Sequence, residues 1–147
     1  MQNIPFHKYQ GTGNDFIIID QRQQQWLNRT SHQTIRQLCD RHFGIGADGL
    51  ILLENHSSLD FEMIYFNSDG QESSMCGNGG RCVVAFAHAI KAIEESCQFM
   101  AIDGIHSAYI KDNWVELRMS GVHSIRDKNP NFFLHTGSPH HVLFVDN

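Results

Sequence analysis

The chain has 147 residues, 41% of them apolar, which suits one domain of ordinary size or one domain plus part of another. Eleven Lys and Arg against 16 Asp and Glu give a net charge of -5, and with no Lys/Arg run a nucleic-acid partner is not expected. No stretch is long and apolar enough to span a membrane as a helix, and the first residues lack the basic-then-apolar layout of a signal peptide, so a cytoplasmic location without membrane attachment is expected.

Phe6 to Gln10 predicts a short strand, Gly11 to Asp15 a turn, and Phe16 to Asp20 a central apolar strand. Gln21 to Thr30 is polar and loop-like. Ser31 is a suitable N-cap for a helix running to about Arg41, with Ile35, Leu38, Cys39 and His42 on one face. Gly44, Gly46 and Gly49 break it. Leu50 to Glu54 and Asp60 to Asn67 predict strands, the second placing Phe61, Met63 and Tyr65 on one side and Glu62, Ile64 and Phe66 on the other. Asn67-Ser68-Asp69-Gly70 is a turn.

Met75-Cys76-Gly77-Asn78-Gly79-Gly80-Arg81 follows, and behind it runs Cys82-Val83-Val84-Ala85-Phe86-Ala87-His88-Ala89-Ile90. The apolar run predicts a helix extending to about Glu94. Because it is apolar all round, something must wrap it, and His88 is expected to be a hydrogen-bonded core residue. The glycines predict a tight turn ahead of the helix, where free N–H groups favour negative charge. Cys76 sits at that point, and a thiol at a helix N-terminus ionises more readily than a free one.

Strands are then predicted at Gln98–Ile102, Ile105–Lys111 and Trp114–Met119, joined at Asp103-Gly104 and Asp112-Asn113. Val122 to Phe133 reads as irregular. Gly137-Ser138-Pro139-His140-His141 is a turn, and His141 to Val145 begins a strand. Strands joined mostly by tight turns around one enclosed helix predict an α+β fold, an antiparallel or mixed sheet rolled around a central hydrophobic helix.

Of four cysteines, Cys39, Cys82 and Cys97 lie in apolar patterns and read as core residues, and no spacing suits a zinc site. The ten histidines are scattered; His140 lies in a turn where it is exposed enough to titrate. Three chemistries fit Cys76 to different degrees. A phosphate loop lacks its Gly-Lys-Ser/Thr. A cysteine phosphatase would need a differently spaced arginine than Arg81, which as a helix-start cation calls for a carboxylate or carbonyl partner. A thiolate base for proton transfer needs a dry pocket and polar groups to orient a ligand, and Asn14, Asn67 and Asn78 supply such groups.

Gly11-Thr12-Gly13-Asn14-Asp15-Phe16, Arg41 through Gly49, Phe66 through Gly70 and Met75 through Cys82 together resemble the diaminopimelate epimerase family, and Gly137-Ser138-Pro139-His140 is similar to a fifth block. The resemblance implies a cytoplasmic isomerase of lysine and peptidoglycan precursor synthesis. It interconverts LL- and meso-diaminopimelate without pyridoxal phosphate, other cofactor or metal, and is a homodimer at full length. One cysteine takes the α-proton and a second returns one from the opposite face. The resemblance makes Cys76 one of that pair and His140 a supporting group near the reacting centre. Asn14, Asn67, Gly77, Asn78 and Ser138 would hold substrate.

Gly49 stands where many members carry a glutamine, and Ser138 where many carry an asparagine. Members are also roughly twice as long, so the second cysteine and a Glu–Arg substrate clamp would lie outside this chain. Residues 1–120 would form the N-terminal domain, and 121–147 would open a second domain. Two other functions remain: a proline or hydroxyproline racemase, whose relatives carry histidine where Asn78 stands, and a non-catalytic binding or folding domain.

Overall fold

Three strands bury both faces, and the two faces feed different cores. The computed structural model describes residues 3–146. In β2 (Asn14–Asp20), Phe16 and Ile18 point to one core, while Ile17 and Ile19 point to the other. The same division holds in β3 (Gly49–Glu54) for Ile51 and Leu53 against Leu50 and Leu52, and in β4 (Phe61–Asn67) for Phe61 and Met63 against Ile64 and Phe66. Side chains alternate across a sheet, so a continuous apolar run marks a strand covered on both sides.

The outer cover is α1 (His32–Cys39), which inserts Ile35 and Cys39. The inner cover is α2 (Gly77–Ala89), with Val83, Val84, Phe86 and Ala87 buried. The sheet is completed by β1 (His7–Gly11), β5 (Ser96–Ala101), β6 (Gly104–Lys111) and β7 (Trp114–Arg118), and its order β1 to β7 is the order of the chain. The β2–β3 and β4–β5 pairs are parallel and the rest antiparallel. Each parallel step needs a crossover, and the two helices lie in those crossovers. Because α2 touches both edge strands, β1 and β7, the sheet curls around it as a half-barrel. The mixed sheet rolled around an apolar helix is the α+β fold expected from the sequence.

Several boundaries differ from expectation. Helix α1 stops at Cys39 because Asp40 turns extended and its carboxylate accepts the N–H groups of His42 and Phe43. Ser31 occupies the N-cap but makes no side-chain cap; its hydroxyl accepts the Asn28 N–H. Helix α2 stops at Ala89 rather than near Glu94. Lys91 adopts φ 57°, and the Lys91 and Ala92 N–H groups bond the His88 and Ala87 carbonyls, a Schellman end without its usual glycine. His88 and Ala89 are exposed on this last turn, so His88 is not a core residue. The β1–β2 hairpin turns on Thr12-Gly13 alone, both at positive φ. The β5–β6 hairpin turns on Ile102-Asp103, with Gly104 already paired to Ala101. Asp112 and Asn113, at φ 48° and 66°, close β6–β7 as expected.

The largest difference lies in 122–133, which is a hairpin and not irregular. Here β8 (Ile125–Lys128) and β9 (Asn131–His135) pair, and β10 (Pro139–Leu143) adds a third strand. All of β8 is exposed, so no alternation marked it. Pro139 is tolerated as the first residue of β10, two positions earlier than the predicted start.

Candidate active site

The start of α2 meets the β1–β2 turn and shares a cleft with the end of β4 and the β9–β10 turn, and the segment before β3 reaches it through Asn14. Residues 77–80 form the first helical turn rather than a separate loop, and none of their glycines has positive φ. Their small size serves packing instead. A Cβ on Gly80 would lie 2.6 Å from Met75 Cε and 2.8 Å from Leu117 Cδ2, so glycine lets the helix settle on its surroundings. Cys76 is the N-cap and makes no side-chain cap, which leaves the first N–H groups of the helix without intrahelical partners.

Cys76 is half-buried, and its Sγ lies 3.6 Å from Asn14 Oδ1. Asn78 Nδ2 donates to the same oxygen at 3.3 Å, and its own Oδ1 accepts from Arg81, the carbonyl partner expected for that cation. Asn14 Nδ2 donates to Asp48 Oδ2 at 2.8 Å. From there a chain of charges runs outward. Arg41 bridges Asp48 at 2.9 Å and Asp15 at 2.7 Å, and Lys8 pairs Asp15 at 2.8 Å.

A cleft of about 380 Å³ opens beside Cys76 and Gly77, and Asn67, Ser138 and His140 line it too. Tyr65 donates to Asn67 Oδ1 at 2.9 Å. Burial pushes the Tyr65 phenol up to about 12. Ser138 Oγ donates to the Met75 carbonyl at 3.2 Å and shares a 2.6 Å bond with Ser74 Oγ, which ties the β9–β10 turn to the segment ahead of Cys76. His140 Nδ1 lies 2.8 Å from the Ser138 carbonyl; a carbonyl only accepts, so the proton sits on Nδ1 and Nε2 is left as the basic nitrogen.

All seven nominated residues therefore gather at one end of the half-barrel: Cys76, Gly77, Ser138, His140 and Asn67 around the cleft, Asn14 and Asn78 on its Cys76 flank. Tyr65, Asp48 and Arg41 were not nominated. Tyr65 had a signal in the alternation of its strand, and Asp48 and Arg41 in their glycine-spaced charged block. At Gly49 a Cβ would sit 2.5 Å from both the Phe66 carbonyl and the Tyr65 ring, so the tyrosine occupies the space of a side chain there. Among the described residues, no group of three or more His, Cys, Asp or Glu is placed to hold a metal ion, and no helix is long and apolar enough to cross a membrane.

The other three cysteines are buried, whereas Cys76 is half-exposed beside the cleft. Burial pushes the thiols of Cys39, Cys82 and Cys97 each up to about 11. Iodoacetamide at neutral pH is expected to modify Cys76 at least ~10-fold faster than these three in the native protein, with all four reacting alike in urea, as peptide mass spectrometry reads.

The charge chain sets an acid limit. The Arg41 guanidinium holds the Asp15 carboxyl well below the usual range, and the Asn14 amide does the same for Asp48. Carboxyls depressed in the folded state contribute stability that is complete above their unfolded value, about 4, and lost as pH falls through the lower folded values. The urea midpoint is expected to drop between about pH 5 and about pH 2, and to drop less in Asp15→Asn.

A curled mixed sheet around one helix is shared with solved structures of low identity. A PhzF-family protein from Bacillus anthracis matches with a TM-score of 0.72 at 15% identity, over 96% of this chain and 55% of that one. A hydroxyproline epimerase from Agrobacterium vitis matches with a TM-score of 0.59 at 15% identity, over 88% of this chain and 47% of that one. The fold is thus that of the proline racemase, PhzF and diaminopimelate epimerase class. Within this class, residues 6–123 match the diaminopimelate epimerase family. A diaminopimelate epimerase from Flavobacterium psychrophilum is 56% identical over 145 residues, 98% of this chain and 56% of its own. The chain belongs to the diaminopimelate epimerase family, and it spans about half the length of the curated relatives it matches.

Proposed function

We propose that this chain is the N-terminal portion of a cofactor-independent epimerase that inverts one α-carbon of diaminopimelate between its LL and meso forms. Cys76 is one of two sulfur groups in this reading. As thiolate it takes the α-proton and becomes a thiol, while a thiol on the opposite face gives up its own proton to the carbanion and becomes a thiolate. Two groups are needed because a single base would tend to return the proton to the face it left. The second cysteine and the groups that grip the distal end of the substrate lie outside residues 1–147. Residues 1–120 are the first domain, and 121–147 open the second.

The observation that carries the reading is the setting of Cys76, a half-buried sulfur at the N-cap of α2, beside a cleft rimmed by Asn67, Ser138 and His140. The free N–H groups after it, at Gly77 and Asn78, suit a substrate carboxylate and the charge that develops at the α-carbon. Asn14, Asn67 and Ser138 would supply further polar contacts, and His140, which lines the same cleft, would support the reacting centre. The full-length protein is expected to act as a homodimer in the cytoplasm, and the 147-residue portion alone to be inactive for want of the second face. The test is deuterium incorporation from solvent into LL-diaminopimelate by the full-length gene product, with proline and hydroxyproline in parallel. Exchange restricted to a cyclic imino acid would assign the protein to a racemase of that substrate, and no exchange with any of them would leave the binding-domain reading.

A further inference from the structure

A carboxamide has two ends of nearly equal size, and only its partners decide which end faces which way. Around Asn14 those partners are unequal. An ionised carboxylate accepts and never donates, so the atom 2.8 Å from Asp48 Oδ2 is the amide nitrogen. That leaves Oδ1 toward Cys76 at 3.6 Å and Asn78 Nδ2 at 3.3 Å. Asp48 is itself fully committed. Its Oδ1 accepts from Arg41 at 2.9 Å, and its Oδ2 also takes the Asp15 N–H at 3.2 Å. Arg41 is in turn anchored on both oxygens of Asp15, at 2.7 and 3.3 Å.

We propose that Asp48, held by Arg41, is a positioning residue that locks the Asn14 carboxamide with its oxygen toward Cys76 and its nitrogen turned away. The lock has a chemical consequence, which rests on the reading of Cys76 as a proton-transfer group. As a thiol, Cys76 donates its S–H to Asn14. As a thiolate it faces an acceptor and receives no N–H from Asn14. A flipped amide would place an N–H on the thiolate, stabilise it and weaken it as a base for a weakly acidic α-proton. Asp48 thus keeps the sulfur basic through a residue between them, without touching substrate.

Two measurements on the full-length protein test this. In side-chain proton–nitrogen spectra, the Asn14 amide pair is assigned by its loss in Asn14→Ala. One proton of the pair is expected to exchange at least ~10-fold more slowly than those of exposed carboxamides, and to lose that protection in Asp48→Asn. A freely exchanging Asn14 pair in the unsubstituted protein would overturn the lock. In a double-mutant cycle, Asp48→Asn is expected to lower kcat/KM for α-proton exchange ~10-fold or more on its own but less than ~2-fold in the Asn14→Ala background, with Asp48→Glu restoring part of the loss. Equal losses in both backgrounds would mean that Asp48 only supports the fold, and would also overturn the proposal. If Asp48→Asn fails to fold, or Asn14→Ala is too slow to assay, the amide signal of the unsubstituted protein decides. A protected Asn14 amide in a protein without epimerase activity would uphold the lock and sink the functional reading instead.

Discussion

Cys76→Ala is expected to lower α-proton exchange with solvent by the full-length protein about 10³-fold, within the range that a positioned acid or base contributes. The loss should fall on kcat, with KM changed less than ~3-fold, because in the proposed reaction the sulfur would act on the reacting proton, and the helix-start N–H groups that would hold the carboxylate remain. Stability should barely move. The sulfur is half-exposed, makes no cap for α2, and among the described residues its one hydrogen bond is to Asn14 at 3.6 Å. Cys76→Ser should lose nearly as much activity, since a hydroxyl is a far poorer source of an anion at neutral pH. Retention of more than about a tenth of the exchange rate by Cys76→Ala would remove its assigned role.

Gly70→Ala is expected to be the most disruptive single-methyl change near the site, costing about 3 kcal/mol or more of stability. Two effects combine. Gly70 has φ +86°, a conformation that L residues rarely adopt, and an added Cβ would lie 2.1 Å from the His32 carbonyl oxygen and 2.9 Å from its carbon. Backbone cannot swing aside as the end of a side chain can. The turn is also pinned by His32 Nδ1–H, which donates to the Gly70 carbonyl at 2.7 Å. Displacing it tilts the end of β4, where Asn67 faces the cleft. Urea unfolding read by circular dichroism gives the cost; a midpoint within error of the unsubstituted protein would refute the collision argument.

What the sequence revealed follows from how each residue earns its place. Phe16 to Ile19 and Leu50 to Leu53 are buried on both faces, so hydrophobicity alone declared them strands. Cys76 stood out because its glycine neighbours are unusual for a helix start, although the reason for Gly80 proved to be contact with Met75 and Leu117 rather than an exotic φ. Local signals failed where long-range geometry decides. Ile125 to Lys128 are all exposed and pair only because Asn131 to Leu134 come back alongside them. His88 looked interior because its neighbours are apolar, yet the helix presents it to solvent past the sheet. The Asp48–Asn14 contact joins residues 34 apart, and no periodicity reports such a pair.

Strands β1 to β7 lie side by side in the order in which they are translated. Each new strand therefore meets a partner that has already emerged from the ribosome, and none must wait for a later one to be inserted between its neighbours. The slowest steps should be the two parallel joins, where α1 and then α2 must be laid down before the next strand docks. Cys76 precedes the second of these joins, so its surroundings from β1 to β4 exist before the far side of the half-barrel does.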